Sequence, residues 1–124
     1  MGFILVFVGS GLGGMARHGV GLLSLRWFGP SFPIGTLAIN IVGSAAMGMV
    51  VALFATLDLG HQDARLFLTT GIIGGFTTFS TFSLDAVALW QRGEHTAAAI
   101  YVLASVVCSL AALGLAMLLV RRLI

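Results

Sequence analysis

The stretch GGFTTFSTFS, Gly74 to Ser83, places Phe76, Phe79 and Phe82 at intervals of three and fills the gaps with hydroxyls. Polar groups are costly in hydrocarbon and face protein or water when they occur there. Two further polar rows run at helical spacing. Thr36, Asn40 and Ser44 fall at i, i+4 and i+8, and so do Tyr101, Ser105 and Ser109. That spacing puts each row on one face of its helix. The inventory is rich in donors: hydroxyls, an amide, a phenol and, at Arg17, a guanidinium. Such groups can replace the hydration shell of a small anion. The edge of a phenylalanine ring is the positive end of its quadrupole, so inward-pointing edges can touch an anion without carrying a charge.

A blander use exists for most of these groups. Ser and Thr mediate helix packing in membranes, or bond back to their own backbone. A row of Phe is most often aromatic packing. Asn40 is harder to explain that way, because an amide cannot satisfy all its groups on its own helix. Arg17, beside His18, is either a snorkelling or paired structural charge or an electropositive mouth that draws in anions. Asp85 lies one turn beyond Ser80 and Thr81 and reads as structural. His18, His61 and His95 are scattered without metal-ligand spacing. No nucleophile–base pair and no phosphate-cradling loop can be defended, so no enzyme is expected. Cys108 stands alone in an apolar run, which excludes a disulfide framework.

The elements that must hold these residues are membrane spans. Of 124 residues, 59% are hydrophobic and 8% charged, and the mean hydropathy is +1.11. A soluble domain carries about 25% charged residues. Neither a basic N-terminal region nor a cleavage site before a polar domain is present, so a cleaved signal peptide is not expected. All six basic residues are Arg and the net charge is +2. They form no basic surface patch, and no nucleic-acid partner is expected. Crossing a bilayer takes about 20 apolar residues. Four segments qualify: about Phe3 to Leu25, Ile34 to Leu57, Ala64 to Trp90 and Thr96 to Val120. Trp27, Phe28 and Trp90 fall at span ends, where aromatic belts are found. No loop is long enough to form a domain, so residues 1–124 are one four-helix transmembrane unit. A unit this small encloses little volume, and oligomerisation is expected.

Orientation is unusually balanced. One side would hold Arg65, Arg121 and Arg122, the other Arg26 and Arg92, with Arg17 inside a span. Orientation follows Lys/Arg imbalance, and without one the chain can insert both ways and pair antiparallel. Gly9 with Gly13, and Gly71 with Gly75, form G-x-x-x-G pairs that permit close helix approach. Gly74-Gly75 before the β-branched threonines predicts a break in the third helix at mid-membrane. Broken backbone at that depth must be buried in protein or line a cavity. Its freed carbonyls suit a small hard cation such as Na⁺.

GTLAINIVGS (Gly35 to Ser44) and GGFTTFSTFS resemble the two signature stretches of the CrcB/Fluc fluoride channels, and GGMARHGV resembles their first-span arginine region. The resemblance covers essentially the whole chain, and the T-T-F-S-T-F-S string with the upstream G-T-L-x-x-N is specific. It implies an all-α membrane protein of the cell inner membrane, a dual-topology antiparallel homodimer with two pores that export F⁻ passively. It implies ring edges of Phe79 and Phe82 along the pores, Asn40 in the second span, and a polar track of Tyr101, Ser105 and Ser109. Ser80, Thr81 and Ser83 would neighbour the ion path, and Arg17 the aqueous vestibule. A structural Na⁺ at the dimer centre would be held by backbone carbonyls of Gly74 and Thr77 from each subunit. Phe76 stands where the family varies and is assigned to packing.

Two other readings compete. Small multidrug-resistance proteins, proton-coupled drug antiporters, share four short spans but rely on an acid in the first span, where this chain has Arg17. A non-transporting assembly subunit would explain the glycines but not the polar rows.

Overall fold

The computed structural model describes residues Met1–Ile124. Four helical spans are long and apolar enough to cross a membrane. Helix α1 is Gly2–Phe28 and α2 is Ile34–Thr56. Gly29, at φ 74°, turns the chain into the Pro30–Pro33 segment, and α2 starts directly after Pro33. The third span, Gln62–Gln91, is interrupted. It comprises α3 (Gln62–Leu66), a π-helical segment (Phe67–Ile73), α4 (Gly74–Phe76) and, beyond a break, α5 (Phe79–Gln91). Gly93, at φ 80°, leads into α6, His95–Leu123. The predicted spans match these to within a few residues. The chain is a multi-pass membrane protein.

The interruption lies three residues later than the glycines suggest. Gly74 is helical, at φ −61° and ψ −38°. Thr77 and Thr78 are the extended residues, at φ −80°, ψ 157° and φ −151°, ψ 122°. β-Branched side chains fit extended backbone better than helix, and Thr78 then caps α5 by accepting the Thr81 N–H at 3.2 Å. The glycines serve packing instead. A methyl group on Gly75 would fall 2.5 Å from the Ser10 carbonyl oxygen, and one on Gly9 would fall 2.8 Å from Gly71 Cα. The two G-x-x-x-G pairs thus meet each other, drawing α1 onto the first half of the third span.

Elsewhere α2 packs chiefly on α6. A methyl on Gly48 would fall 2.3 Å from the Leu113 carbonyl oxygen, so this contact is also backbone-close. Only 14 of 124 residues are buried, and most large apolar side chains face outward. The hydropathy therefore serves a lipid-facing exterior. The small core is Phe82, Leu89, Ala98 and Tyr101, where α5 meets α6.

Candidate functional site

The break is held by Asn40. Its Nδ2 donates to the Thr78 carbonyl at 3.0 Å, and its Oδ1 accepts the Thr78 N–H at 2.9 Å. One amide thus satisfies both polar groups of an extended peptide unit that has left the helix. In water-poor surroundings an unpaired backbone group costs several kcal/mol, so the side chain substitutes for the missing helical partners.

This pairing has a second effect. In a continuous helix the Thr78 N–H would go to the Gly74 carbonyl and the Thr81 N–H to the Thr77 carbonyl. Asn40 and the Thr78 hydroxyl take those two donors, and neither carbonyl receives a backbone N–H. Between them, the Gly75 carbonyl accepts from Arg17 Nε at 3.3 Å. A guanidinium at the carbonyl end of a half-helix is favourably placed against its partial negative charge. Gly74 and Thr77 thus each present a carbonyl oxygen without a backbone donor. The Thr77 hydroxyl donates to Ile73 at 3.0 Å, and its methyl lies over Gly43, where a Cβ would sit 2.2 Å from it.

Two cavities flank the break and share Thr78. The first, about 370 Å³, is lined by Asn40, Ser44, Phe79, Phe82, Ser105 and Ser109 among others. The second, about 530 Å³, is lined by Arg17, His18, Thr36, Thr81 and Asp85 with apolar neighbours. Ser44 and Thr36 sit eight residues, about 12 Å, apart on α2, and Asn40 lies between them. The hydroxyls of Ser105 and Ser109 are buried and have no hydrogen-bond partner. Buried hydroxyls are normally paired. Both residues belong to the lining of the first cavity, so its wall holds two hydroxyls without partners.

Phe79 and Phe82 stand 5.4 Å apart between ring centroids, tilted by 56°. Phe82 is 9% exposed and Phe79 77% in the single chain. Phe82 in turn contacts the Tyr101 ring at 5.3 Å. Tyr101 is fully buried, and its hydroxyl donates to Asp85 Oδ2 at 3.0 Å.

The sequence-predicted residues therefore separate. Asn40, Phe79, Phe82, Ser105 and Ser109 come together on the first cavity; Thr81 and Arg17 lie on the second. Tyr101 stands behind Phe82, bonded to Asp85. Ser80 and Ser83 line neither cavity; Ser83 bonds back to the Phe79 carbonyl at 3.0 Å, and Ser80 lies 3.4 Å from the Thr78 hydroxyl. Sequence reasoning missed Thr78, which both breaks the helix and caps its second half. The signal was present: Thr78 stands three residues before Thr81, the spacing of a side-chain cap to the N3 amide. Gly43, which makes room for Thr77, carried no signal of its own.

Comparison with known proteins agrees with this architecture. The model of the family described as "CrcB-like protein, Camphor Resistance (CrcB)" matches residues 4–117. A protein of Granulibacter bethesdensis named fluoride-specific ion channel FluC is 55% identical over 124 residues, covering 100% of this chain and 98% of that one. A protein of Methylobacterium nodulans with the same name is 55% identical over 119 residues, covering 96% and 95%. One of Paracoccus denitrificans, again so named, is 53% identical over 110 residues, covering 89% and 86%. With the family match spanning nearly the whole length, this chain belongs to the CrcB-like family.

Proposed function

We propose that this chain is a fluoride-selective channel of the cell inner membrane, passing F⁻ passively down its electrochemical gradient and so lowering cytoplasmic fluoride. The observation that carries the reading is the first cavity, where two unpartnered buried hydroxyls, Ser105 and Ser109, share the lining with the rings of Phe79 and Phe82. Fluoride is the smallest halide and the most strongly hydrated. A path for it must supply donors continuously, and hydroxyls with unspent hydrogens do so. Ring edges supply weak positive potential without a full charge that would trap the ion. On this reading Thr81 and Arg17 serve the second cavity as the wider approach, where a guanidinium raises the local anion concentration. Ser80 and Ser83 neighbour the path from the exposed side of α5. Tyr101 acts by holding Phe82. The names of the relatives support the choice of fluoride over other anions.

The functional unit in this proposal is an antiparallel homodimer with two pores. Phe79 and Gly74 are exposed in a single chain, and the break at Thr77–Thr78 is only half-buried. Broken backbone and a pore-facing ring need protein cover at membrane depth, and a second copy supplies it. The dimer also completes a cation site. Gly74 and Thr77 each offer a hard carbonyl oxygen with no backbone donor. Two such chains would bring four oxygens together, a donor set that fits Na⁺ in a structural role. Fluoride release from liposomes holding the purified protein, followed with a fluoride electrode, tests the function. Silence toward fluoride together with proton-coupled uptake of lipophilic cations would overturn it in favour of a drug antiporter.

A further inference from the structure

Four aromatic rings form a chain that leaves the membrane interior. Phe79 touches Phe82 at 5.4 Å, Phe82 touches Tyr101 at 5.3 Å, and Tyr101 meets Phe32 at 5.7 Å and 88°, edge to face. Phe32 belongs to the short connection between α1 and α2, not to a span. It lines the second cavity, and it packs against the core built from Phe82 and Tyr101. Its backbone is fastened from the opposite loop. Arg92 Nη2 donates to the Ser31 carbonyl at 2.9 Å and to Glu94 Oε2 at 2.8 Å. The guanidinium therefore ties the two loops at this end of the bundle directly beside Phe32.

We infer that Phe32 is a positioning residue for fluoride permeation: held by the Arg92–Ser31 clasp, it sets the Tyr101 ring and through it the pore-facing ring of Phe82. Tyr101 has a fixed place only if both its ends are held. Asp85 holds the hydroxyl, and Phe82 and Phe32 bracket the ring. Edge-to-face contact constrains a ring's tilt as well as its position. Removing Phe32 frees Tyr101 to turn, and the face against which Phe82 rests turns with it. A side chain outside the spans thus governs the constriction inside. Phe32 itself touches no ion in this account.

This inference rests on the proposed channel function, and the test separates the two. Wild-type protein and variants are reconstituted in liposomes and F⁻ efflux is measured. Absence of efflux from wild type overturns the function itself. With wild-type efflux established, Phe32→Leu, which keeps an apolar side chain but no ring, lowers the F⁻ rate by about three- to tenfold, the factor one aromatic pair can supply. Phe32→Tyr restores it. Arg92→Gln lowers it less and adds little when combined with Phe32→Leu, since both act through one ring. The chain has one tyrosine, so protein labelled with ¹³C-tyrosine reports Tyr101 alone. Phe32→Leu and Arg92→Gln each shift or broaden its ring resonance, while Phe32→Tyr is compared by efflux only. An unchanged efflux rate in Phe32→Leu, or a Tyr101 resonance indifferent to Arg92→Gln, overturns the inference. Should Phe32→Leu not fold, the resonance and efflux of Arg92→Gln decide alone.

Discussion

Asn40 pairs with both the N–H and the carbonyl of Thr78, at 2.9 and 3.0 Å, as a neighbouring β-strand would. A side chain on α2 thereby stabilises the one extended peptide unit in the third span. It also withholds from Gly74 the N–H that would have closed the helix. The polar residue most conspicuous in the second span thus keeps the third span open.

Asn40→Ala removes both bonds and leaves the Thr78 groups unpaired in a poorly hydrated site. The expected loss of stability is on the order of 2–4 kcal/mol. Thermal unfolding in detergent should show a much lower midpoint. A midpoint equal to wild type would mean that water satisfies Thr78 without help.

Sodium should stabilise the assembled protein. A ligand bound only by the native state raises stability with the logarithm of its concentration. The midpoint should therefore climb as Na⁺ replaces choline at constant ionic strength. Asn40→Ala should blunt that climb, because the extended backbone that presents the Gly74 and Thr77 carbonyls loses its brace. Indifference of the wild-type midpoint to Na⁺ would argue against the Gly74/Thr77 site.

The orphaned hydroxyls separate structure from transport. Neither Ser105 nor Ser109 has a partner to lose, so Ser105→Ala and Ser109→Ala should leave stability within about 0.5 kcal/mol of wild type or raise it. Fluoride efflux should nonetheless fall at least severalfold. Lower stability with unaltered efflux would show the hydroxyls to be structural.

The rings make the sharper case. Phe79→Ile and Phe82→Ile keep an apolar side chain but remove the positive ring edge. Each should reduce fluoride efflux by more than tenfold while the protein elutes from size-exclusion chromatography as wild type does. Efflux equal to wild type in both variants would remove the ring-edge role.

Close packing at the glycines gives a stability prediction independent of ions. A methyl at Gly13 would fall 2.1 Å from the Ile72 carbonyl oxygen and 2.8 Å from the Phe76 nitrogen. Backbone cannot yield that much, so Gly13→Ala should abolish folded protein. Gly19 has nothing within 4 Å of such a methyl, and Gly19→Ala should express normally. Similar yields of both would show that α1 does not seat against the third span as described.

Much of this was legible in the chain because lipid imposes simple rules. Span number and ends follow from length and hydropathy, and the interruption follows from a glycine pair set before β-branched threonines. Only the threonine end of the predicted break is extended, because adjacent glycines signal two different things, a weak helix and a close approach. Here the close approach wins, since Ser10 lies against Gly75. The threonines then take the extended turn, aided by a partner on another helix that local propensity cannot reveal. Tyr101 shows the same limit. Its spacing with Ser105 and Ser109 gives the shared helix face, but whether a hydroxyl meets a cavity or Asp85 depends on how α5 and α6 cross. Nor does any pattern in the sequence connect Phe32 to Tyr101.

The central claim is that the donor-lined cavity beside Phe79 and Phe82 passes fluoride in preference to other anions. Liposomes carrying the purified protein and loaded with equal fluoride and chloride, monitored with both electrodes under a K⁺/valinomycin shunt, measure this directly. The account predicts rapid fluoride release limited by the shunt, with chloride retained at the rate of protein-free vesicles. Release of both anions at similar rates, or of neither, would contradict it.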